Sequence, residues 1–292
     1  MRIIFTLLLV GACTVHALAV VDPAQLAAAR ELFTTRGKST EAQQAFEKIA
    51  VADPAFAEAQ HALADLALRR DDADQAVAYA EKAVALAPDN PAYQHLLGET
   101  YGRSAQKTGL WSFRTPGLAK KCLAAFQRAS ALEPDNTSYH QSLFDFYLQA
   151  PGFLGGGTDK ALAEATAIKK LDPMRGHQAF VTLYTADKNY DRVLAEFDEA
   201  LKEAPDNYNV FYQFGRFSAQ NGQFLDRGLT SLRRCLKLTP PSGAPSHAAA
   251  QWRIGQILEK KKEPAAARAA YEAALKLDPK FTPAADSLKK LK

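Results

Sequence analysis

The sequence of 292 residues has little sulfur, with only three cysteines and two methionines. So few cysteines exclude a small domain held together by disulfides. The 16 glycines and 15 prolines are too few for a fibrous repeat, and a formal charge of +4 falls short of the concentrated positive charge of a nucleic-acid-binding protein. Apolar residues are plentiful: 47% of the chain is hydrophobic, which excludes a disordered chain and allows a sizeable core.

Residues 1–19 have the composition of a secretory signal peptide. Arg2 supplies one early charge, a mostly apolar run extends from Ile3 to Val10, and Ala17-Leu18-Ala19 has the small residues of a cleavage site. The apolar run is shorter than the ~20 residues that span a bilayer. We therefore expect cleavage after Ala19 and a mature protein that is exported to the periplasm or secreted.

Two alternatives stay open for this segment. Val10-Gly11-Ala12-Cys13 resembles the lipobox of bacterial lipoproteins, in which Cys13 would carry a lipid. The segment would otherwise remain as an N-terminal anchor. In the mature chain we expect membrane association only if Cys13 is lipidated, because no later apolar run approaches the length of a membrane span.

A proline that follows an apolar helical stretch recurs seven times. The dipeptides are Asp53-Pro54, Ala87-Pro88, Glu133-Pro134, Asp172-Pro173, Ala204-Pro205, Thr239-Pro240 and Asp278-Pro279, at intervals of 34, 46, 39, 32, 35 and 39 residues. Small or apolar residues lie 12, 8 and 5 positions before each proline, as Cys122, Phe126 and Ala129 do before Pro134. Spacings of four and three place each trio on one face of a helix.

A second signature lies upstream of these trios. Its copies are Leu97-Gly98-x-x-Tyr101, Leu143-Phe144-x-x-Tyr147, Phe180-Val181-x-x-Tyr184, Phe214-Gly215 and Ile254-Gly255-x-x-Leu258. Together the two signatures resemble the tetratricopeptide repeat, with L-G-x-x-Y, then A-x-x-x-F, then P. The resemblance implies an all-α, right-handed superhelical solenoid of antiparallel helix pairs. We predict about seven repeats over residues 20–279 and a capping helix over residues 280–292.

Three inserts account for the long intervals between prolines. They lie near residues 104–119, 151–158 and 240–247. Insertions in repeat arrays fall on loops that often carry function. Trp111 and Phe113 in the first insert have two interpretations, either contact with a bound ligand or packing against the neighbouring repeat.

The resemblance also implies a binding surface, because the first helices of the family's repeats line the concave face. The corresponding positions here are His61, Asp65 and Arg69 in the second repeat, His95, Glu99 and Arg103 in the third, and Gln141, Asp145 and Gln149 in the fourth. Tyr212, Arg216 and Trp252 continue this face as expected anchors. We interpret it as a hydrogen-bonding groove for an extended peptide. The alternative is an exposed helix face with i,i+4 ion pairs.

Catalytic motifs are missing from the sequence, which has no H-E-x-x-H, G-x-S-x-G or C-x-x-C. Metal binding by His61, Asp65, His95 and Glu99 would require side chains to lean across the ~10 Å between neighbouring helices. Cys122 and Cys235 lie three repeats apart, so we expect buried thiols and no disulfide. We therefore expect no enzyme, no cofactor, no bound metal and no nucleic-acid partner.

The predicted function is a non-catalytic scaffold in the cell envelope that binds a protein or peptide in the groove. The alternative is an accessory subunit of envelope assembly or polysaccharide export, which would act through the convex face or the inserted loops.

Overall fold

The computed structural model describes residues 21–53, 56–109, 112 and 114–291. The predicted signal peptide with Cys13, and the aromatic residues Trp111 and Phe113, lie outside these described residues. Within them the fold is all-α, as predicted, with fifteen α-helices, one 3₁₀ turn and no strand. In chain order, α1 to α15 are Pro23–Thr34, Ser39–Ala52, Ala57–Arg69, Ala73–Leu86, Pro91–Thr108, Thr115–Leu132, Thr137–Gln149, Thr158–Leu171, Pro173–Ala186, Tyr190–Glu203, Tyr208–Asn221, Leu225–Cys235, His247–Lys260, Pro264–Leu277 and Thr282–Lys290.

The helices follow the predicted repeats. The first pair is α1 with α2 and the seventh is α13 with α14. Six pairs end two residues before one of the seven prolines, and in the sixth pair α12 ends five residues before Pro240. The first insert lengthens both helices of the third pair to 18 residues each. After the seventh pair, α15 occupies the position predicted for the capping helix. Of the described helices, none has both the length and the apolar character needed to cross a membrane.

Three of the seven prolines are followed by an Asp-Asn pair, whose asparagine caps the next helix: Asp89-Asn90, Asp135-Asn136 and Asp206-Asn207. The Asn90 side chain accepts hydrogen bonds from the backbone N–H groups of Ala92 at 3.0 Å and Tyr93 at 3.2 Å. Asn136 and Asn207 cap α7 and α11 in the same way. A side-chain oxygen at this position satisfies backbone donors that a helix leaves free at its first turn.

The chain divides into two compact units, which meet in the sequence between Gly157 and Thr158. Unit 1 contains α1 to α7 and the 3₁₀ turn Gly152–Leu154, and unit 2 contains α8 to α15. The turn requires glycine at Gly156, because a Cβ there would overlap the carbonyl oxygen of Ala150. Gly155 adopts a φ of 100°, which glycine reaches without strain.

Unit 1 is held together by close contacts between small and aromatic residues. A Cβ at Gly98 on α5 would overlap the Phe126 ring on α6, so this glycine lets the two helices approach. The Tyr101 hydroxyl, one turn after Gly98, donates a hydrogen bond to the Glu81 carboxylate on α4. The predicted signature therefore joins three successive helices.

Unit 2 uses the same construction. Gly215 lies against Leu232, and Gly255 lies against the Tyr271 ring. Tyr271 is fully buried and its hydroxyl donates a hydrogen bond to the Glu259 carboxylate. Aromatic stacking adds to this core, with the rings of Phe197 and Phe214 4.7 Å apart.

Both cysteines in the described residues are free and buried, Cys122 in unit 1 and Cys235 in unit 2. Burial raises the pKa of each thiol to about 12. The prediction of two buried, unpaired thiols is confirmed.

Candidate functional site

The polar face predicted from the repeats lies on the first helices of unit 1. Helices α3, α5 and α7 each contribute residues four positions apart, and their side chains are partly or fully exposed. These residues are His61, Asp65 and Arg69 on α3, His95, Glu99 and Arg103 on α5, and Gln141, Asp145 and Gln149 on α7.

A pocket of about 560 Å³ lies where residues of α5 and α7 on this face meet α6. Its polar wall includes Glu99, Arg103 and Asp145, so residues of two predicted triplets meet in one pocket. The apolar side chains that complete it come from α3, α6, α7 and the segment after α7, and they are Leu68, Phe126, Phe146 and Leu154. Pockets of this size, with a mostly apolar wall and a few polar groups, are typical of binding sites.

The two carboxylates of the pocket have raised pKa values. Glu99 is raised first because neighbouring protein displaces solvent from its carboxyl group, and second because the Asp65 carboxylate repels it. Loss of solvent likewise raises the pKa of Asp145, against the effect of a 3.0 Å hydrogen bond from Gln141 Nε2. Among the described residues, no basic side chain forms an ion pair with either carboxylate.

The arginines of this face pair with aspartates that do not line the pocket. Arg69 forms an ion pair with Asp65 on its own helix, and its guanidinium lies 4.6 Å from the centre of the Phe33 ring. Arg103 Nε lies 3.7 Å from Asp71 Oδ1. The i,i+4 ion pair that the alternative interpretation required therefore forms on α3, whereas on α5 Glu99 and Arg103 are not paired.

The two histidines join neighbouring first helices. The His61 ring on α3 stacks on Tyr93 of α5, with ring centres 4.7 Å apart. His95 Nε2 lies 2.8 Å from Ser142 Oγ on α7, and its ring centre is 4.9 Å from that of Tyr139. Burial lowers the pKa of both histidines, which favours the neutral form at physiological pH. Both side chains therefore support the polar face from within.

In unit 2, two of the three residues that were expected to anchor a partner are buried or partly buried. Tyr212 is only 6% exposed and belongs to the hydrophobic core, because α11 packs against both α12 and α13 and so has two covered faces. Trp252 contacts the last helix: its Nε1 donates a 3.0 Å hydrogen bond to Ser287 Oγ, and its ring meets Phe281 edge-on at 6.0 Å. Of the three residues only Arg216 is exposed.

The segment after α7 adds residues that the repeat pattern does not single out. Leu154 lines the pocket, and its neighbour Phe153 is 75% exposed. The sequence signal for this segment is the insert at residues 151–158, which interrupts the repeat. An exposed aromatic side chain beside a pocket is typical of interaction surfaces.

A second polar cluster lies in unit 2 and was not predicted. His177 is buried, with Nδ1 2.7 Å from Glu196 Oε2. Lys169 Nζ lies 3.0 Å from Glu196 and 3.1 Å from Glu199. Although His177, Glu196 and Glu199 have the atoms of a metal site, the Lys169 ammonium already forms ion pairs with both carboxylates. We interpret the cluster as a structural ion-pair network.

Comparison with known proteins supports the repeat assignment. A family model described as a tetratricopeptide repeat matches residues 26–91 and 218–280, one segment in each unit. No curated protein matches the sequence significantly.

Solved structures extend the likeness over nearly the whole chain. A tetratricopeptide repeat protein from Parabacteroides merdae is 14% identical with a TM-score of 0.60, over 91% of this chain and 96% of that one. The C-terminal part of a repeat-containing protein from Cytophaga hutchinsonii is 16% identical with a TM-score of 0.54, over 90% and 98%. Yeast Tom70 is 16% identical with a TM-score of 0.59, over 92% of this chain and 56% of its own.

At these identities the structural likeness is one of fold. It agrees with the seven helix pairs, with the glycine–aromatic contacts between their helices and with the two matched segments. The chain is therefore a tetratricopeptide repeat protein with about seven repeats.

Proposed function

We propose that the protein is a non-catalytic interaction scaffold of the cell envelope, and that the α3–α5–α7 face of unit 1 binds an extended segment of a protein partner. Tetratricopeptide repeat proteins generally bind protein partners. The observation that carries the proposal is the pocket, where polar groups of α5 and α7 on this face meet an apolar wall. Because its walls are helices fixed by core packing, a partner docks with little backbone rearrangement.

A second candidate is supported by Phe153, which is 75% exposed on an inserted turn. In this candidate the protein is an accessory subunit of envelope assembly or polysaccharide export, and its loops make the contacts. The two candidates differ in which residues touch the partner, and site-specific crosslinking separates them.

The test places a photo-crosslinking amino acid at one of three positions in cells that express the protein. Gln149 is exposed and lines the pocket, Phe153 lies on the turn, and Lys120 is an exposed control on α6. We expect one partner protein to crosslink from Gln149 and not from Lys120. Crosslinking from Phe153 alone would support the second candidate, and equal crosslinking from all three positions would contradict both.

Export is the second part of the proposal and rests on residues 1–19. The intact mass of the protein from cells tests it directly. We expect a mature chain that begins at Val20. A chain that begins at a lipidated Cys13 would mean export as a lipoprotein, and a cytoplasmic chain that retains Met1 would contradict export.

A further inference from the structure

The pocket of unit 1 has an unbalanced charge. Glu99 and Asp145 both line it, and the nearby guanidinium groups are held by other acids: Arg69 by Asp65 and Arg103 by Asp71. Lys107 Nζ also pairs with Asp71, at 2.9 Å, and is not part of the pocket lining. Two carboxylates thus line the pocket with a single guanidinium, that of Arg103, which forms an ion pair with neither of them, so the lining keeps a net negative charge.

The rest of the pocket lining suits a long side chain with a charged end. Leu68, Phe126, Phe146 and Leu154 present aliphatic and aromatic surface beside the carboxylates. Lysine and arginine bury their methylene chains along such surface and keep the charged group at a polar end. Aromatic rings also attract cations held over their faces.

We propose that this pocket binds one basic side chain, lysine or arginine, of the partner segment, with its charged group between Glu99 and Asp145. The inference rests on the proposed function, since it assumes that the segment lies on the α3–α5–α7 face. The ammonium or guanidinium group donates hydrogen bonds to the two carboxylates, and such charge-assisted bonds are the stronger kind. An acidic or C-terminal carboxylate at this position would be repelled.

A peptide fits the surroundings better than a free amine. Gln149 and Gln106 also line the pocket and offer amide groups to a backbone, and the exposed Phe153, which precedes the lining residue Leu154 in the chain, offers apolar surface to another side chain. A small polyamine would leave these groups unused.

The experiment passes the mature protein over an immobilised nonapeptide library with a randomised centre. The same measurement is then made on a double variant that carries both Glu99→Gln and Asp145→Asn. A matched control, Asp135→Asn with Glu272→Gln, removes the same charge from exposed positions outside the pocket. Circular dichroism verifies that both variants keep the helical fold.

We expect the retained peptides to be enriched in lysine or arginine at one position. The best peptide should bind about tenfold tighter than its norleucine analogue. The pocket variant should lose this preference, and the control variant should keep it.

Four results would overturn the inference. If the retained peptides show no preference for a basic residue but a partner still crosslinks from Gln149, the binding face is supported and the basic side chain in the pocket is not. A preference unaffected by the pocket variant would place the basic side chain elsewhere. Spermidine binding as tightly as the best peptide, with the same dependence on both carboxylates, would assign the pocket to a free amine. Retention of no peptide would argue against this inference and against the binding face together.

Discussion

Charged residues in unit 1 divide into those that stabilise the fold and those that do not. Arg69 and Asp65 neutralise each other on α3, whereas Glu99 has a raised pKa and no ion-pair partner among the described residues. A carboxyl group whose pKa is higher in the folded chain than in the unfolded chain opposes folding at pH values at which it is ionised. Such a residue is explained better by a ligand than by stability.

Replacing Glu99 should therefore not lower stability. We expect Glu99→Gln to keep or raise the melting temperature at neutral pH, because it removes a carboxylate that is disfavoured by partial loss of solvent and by repulsion from Asp65. The matched control is Glu196→Gln in unit 2, which removes the partner of Lys169 and His177 and should cost about 1–3 kcal/mol. Thermal unfolding compares the two. A loss as large for Glu99→Gln as for Glu196→Gln would mean that Glu99 has a structural partner.

The buried cysteines allow a test of the cores. Their pKa values of about 12 and their burial leave almost no accessible thiolate at pH 8. In a Cys13→Ser background, we expect Cys122 and Cys235 to react with a thiol reagent only after unfolding in guanidinium. Prompt labelling of the native protein would contradict the packing around them.

At the scale of helices, the contacts between paired helices were predictable and the orientation of single side chains was less so. The spacing of Gly98, Phe126 and Ala129 identifies one helix pair, because each contact depends on neighbours along a helix face. The burial of Tyr212 depends instead on α11 packing against two other helices, which local spacing does not reveal. The contact of Trp252 with Ser287 likewise depends on where α15 packs.

Two glycine-to-alanine substitutions test the role of the glycine in the repeat signature. Gly98→Ala adds a methyl group that overlaps the Phe126 ring, so we expect a loss of about 1–3 kcal/mol in the free energy of unfolding. Gly117→Ala on α6 meets no atom within 4 Å and should be neutral or slightly stabilising. Urea unfolding measures both. Equal stability of the two variants would contradict the close approach of α5 and α6.

For the whole molecule, the sequence predicts the number of repeats and their helical construction, because the same pattern recurs along the chain. It indicates an insert at residues 151–158 without showing that two compact units meet there. The polar triplets of α3, α5 and α7 were also predictable. The pocket was not, because its apolar wall combines Leu68, Phe126 and Leu154 from distant parts of the sequence.

Partner binding by unit 1 should depend on pH. The charged groups around Glu99 are Asp65 on α3, Arg103 on α5 and Asp145 on α7. A bound cation favours the ionised carboxylates, so protonation of Glu99 and Asp145 competes with binding as pH falls. Because their pKa values are raised, we expect affinity for the best library peptide to fall at a higher pH than ordinary carboxyl groups would produce. Fluorescence anisotropy measures this, and the Glu99→Gln, Asp145→Asn variant should lose the dependence. A pH profile shared by both proteins would exclude these carboxylates as its source.

Filling the pocket tests most directly whether the partner binds there. Ala105 lines the pocket on α5, and Ala105→Trp would occupy it with an indole without changing charge. Lys120→Trp places the same side chain at an exposed position on α6 and serves as the control. With the crosslinked partner as ligand, we predict that Ala105→Trp raises the dissociation constant about tenfold or more. We expect little change for Lys120→Trp. An unchanged dissociation constant for a folded Ala105→Trp protein would contradict the assignment of this face as the binding site.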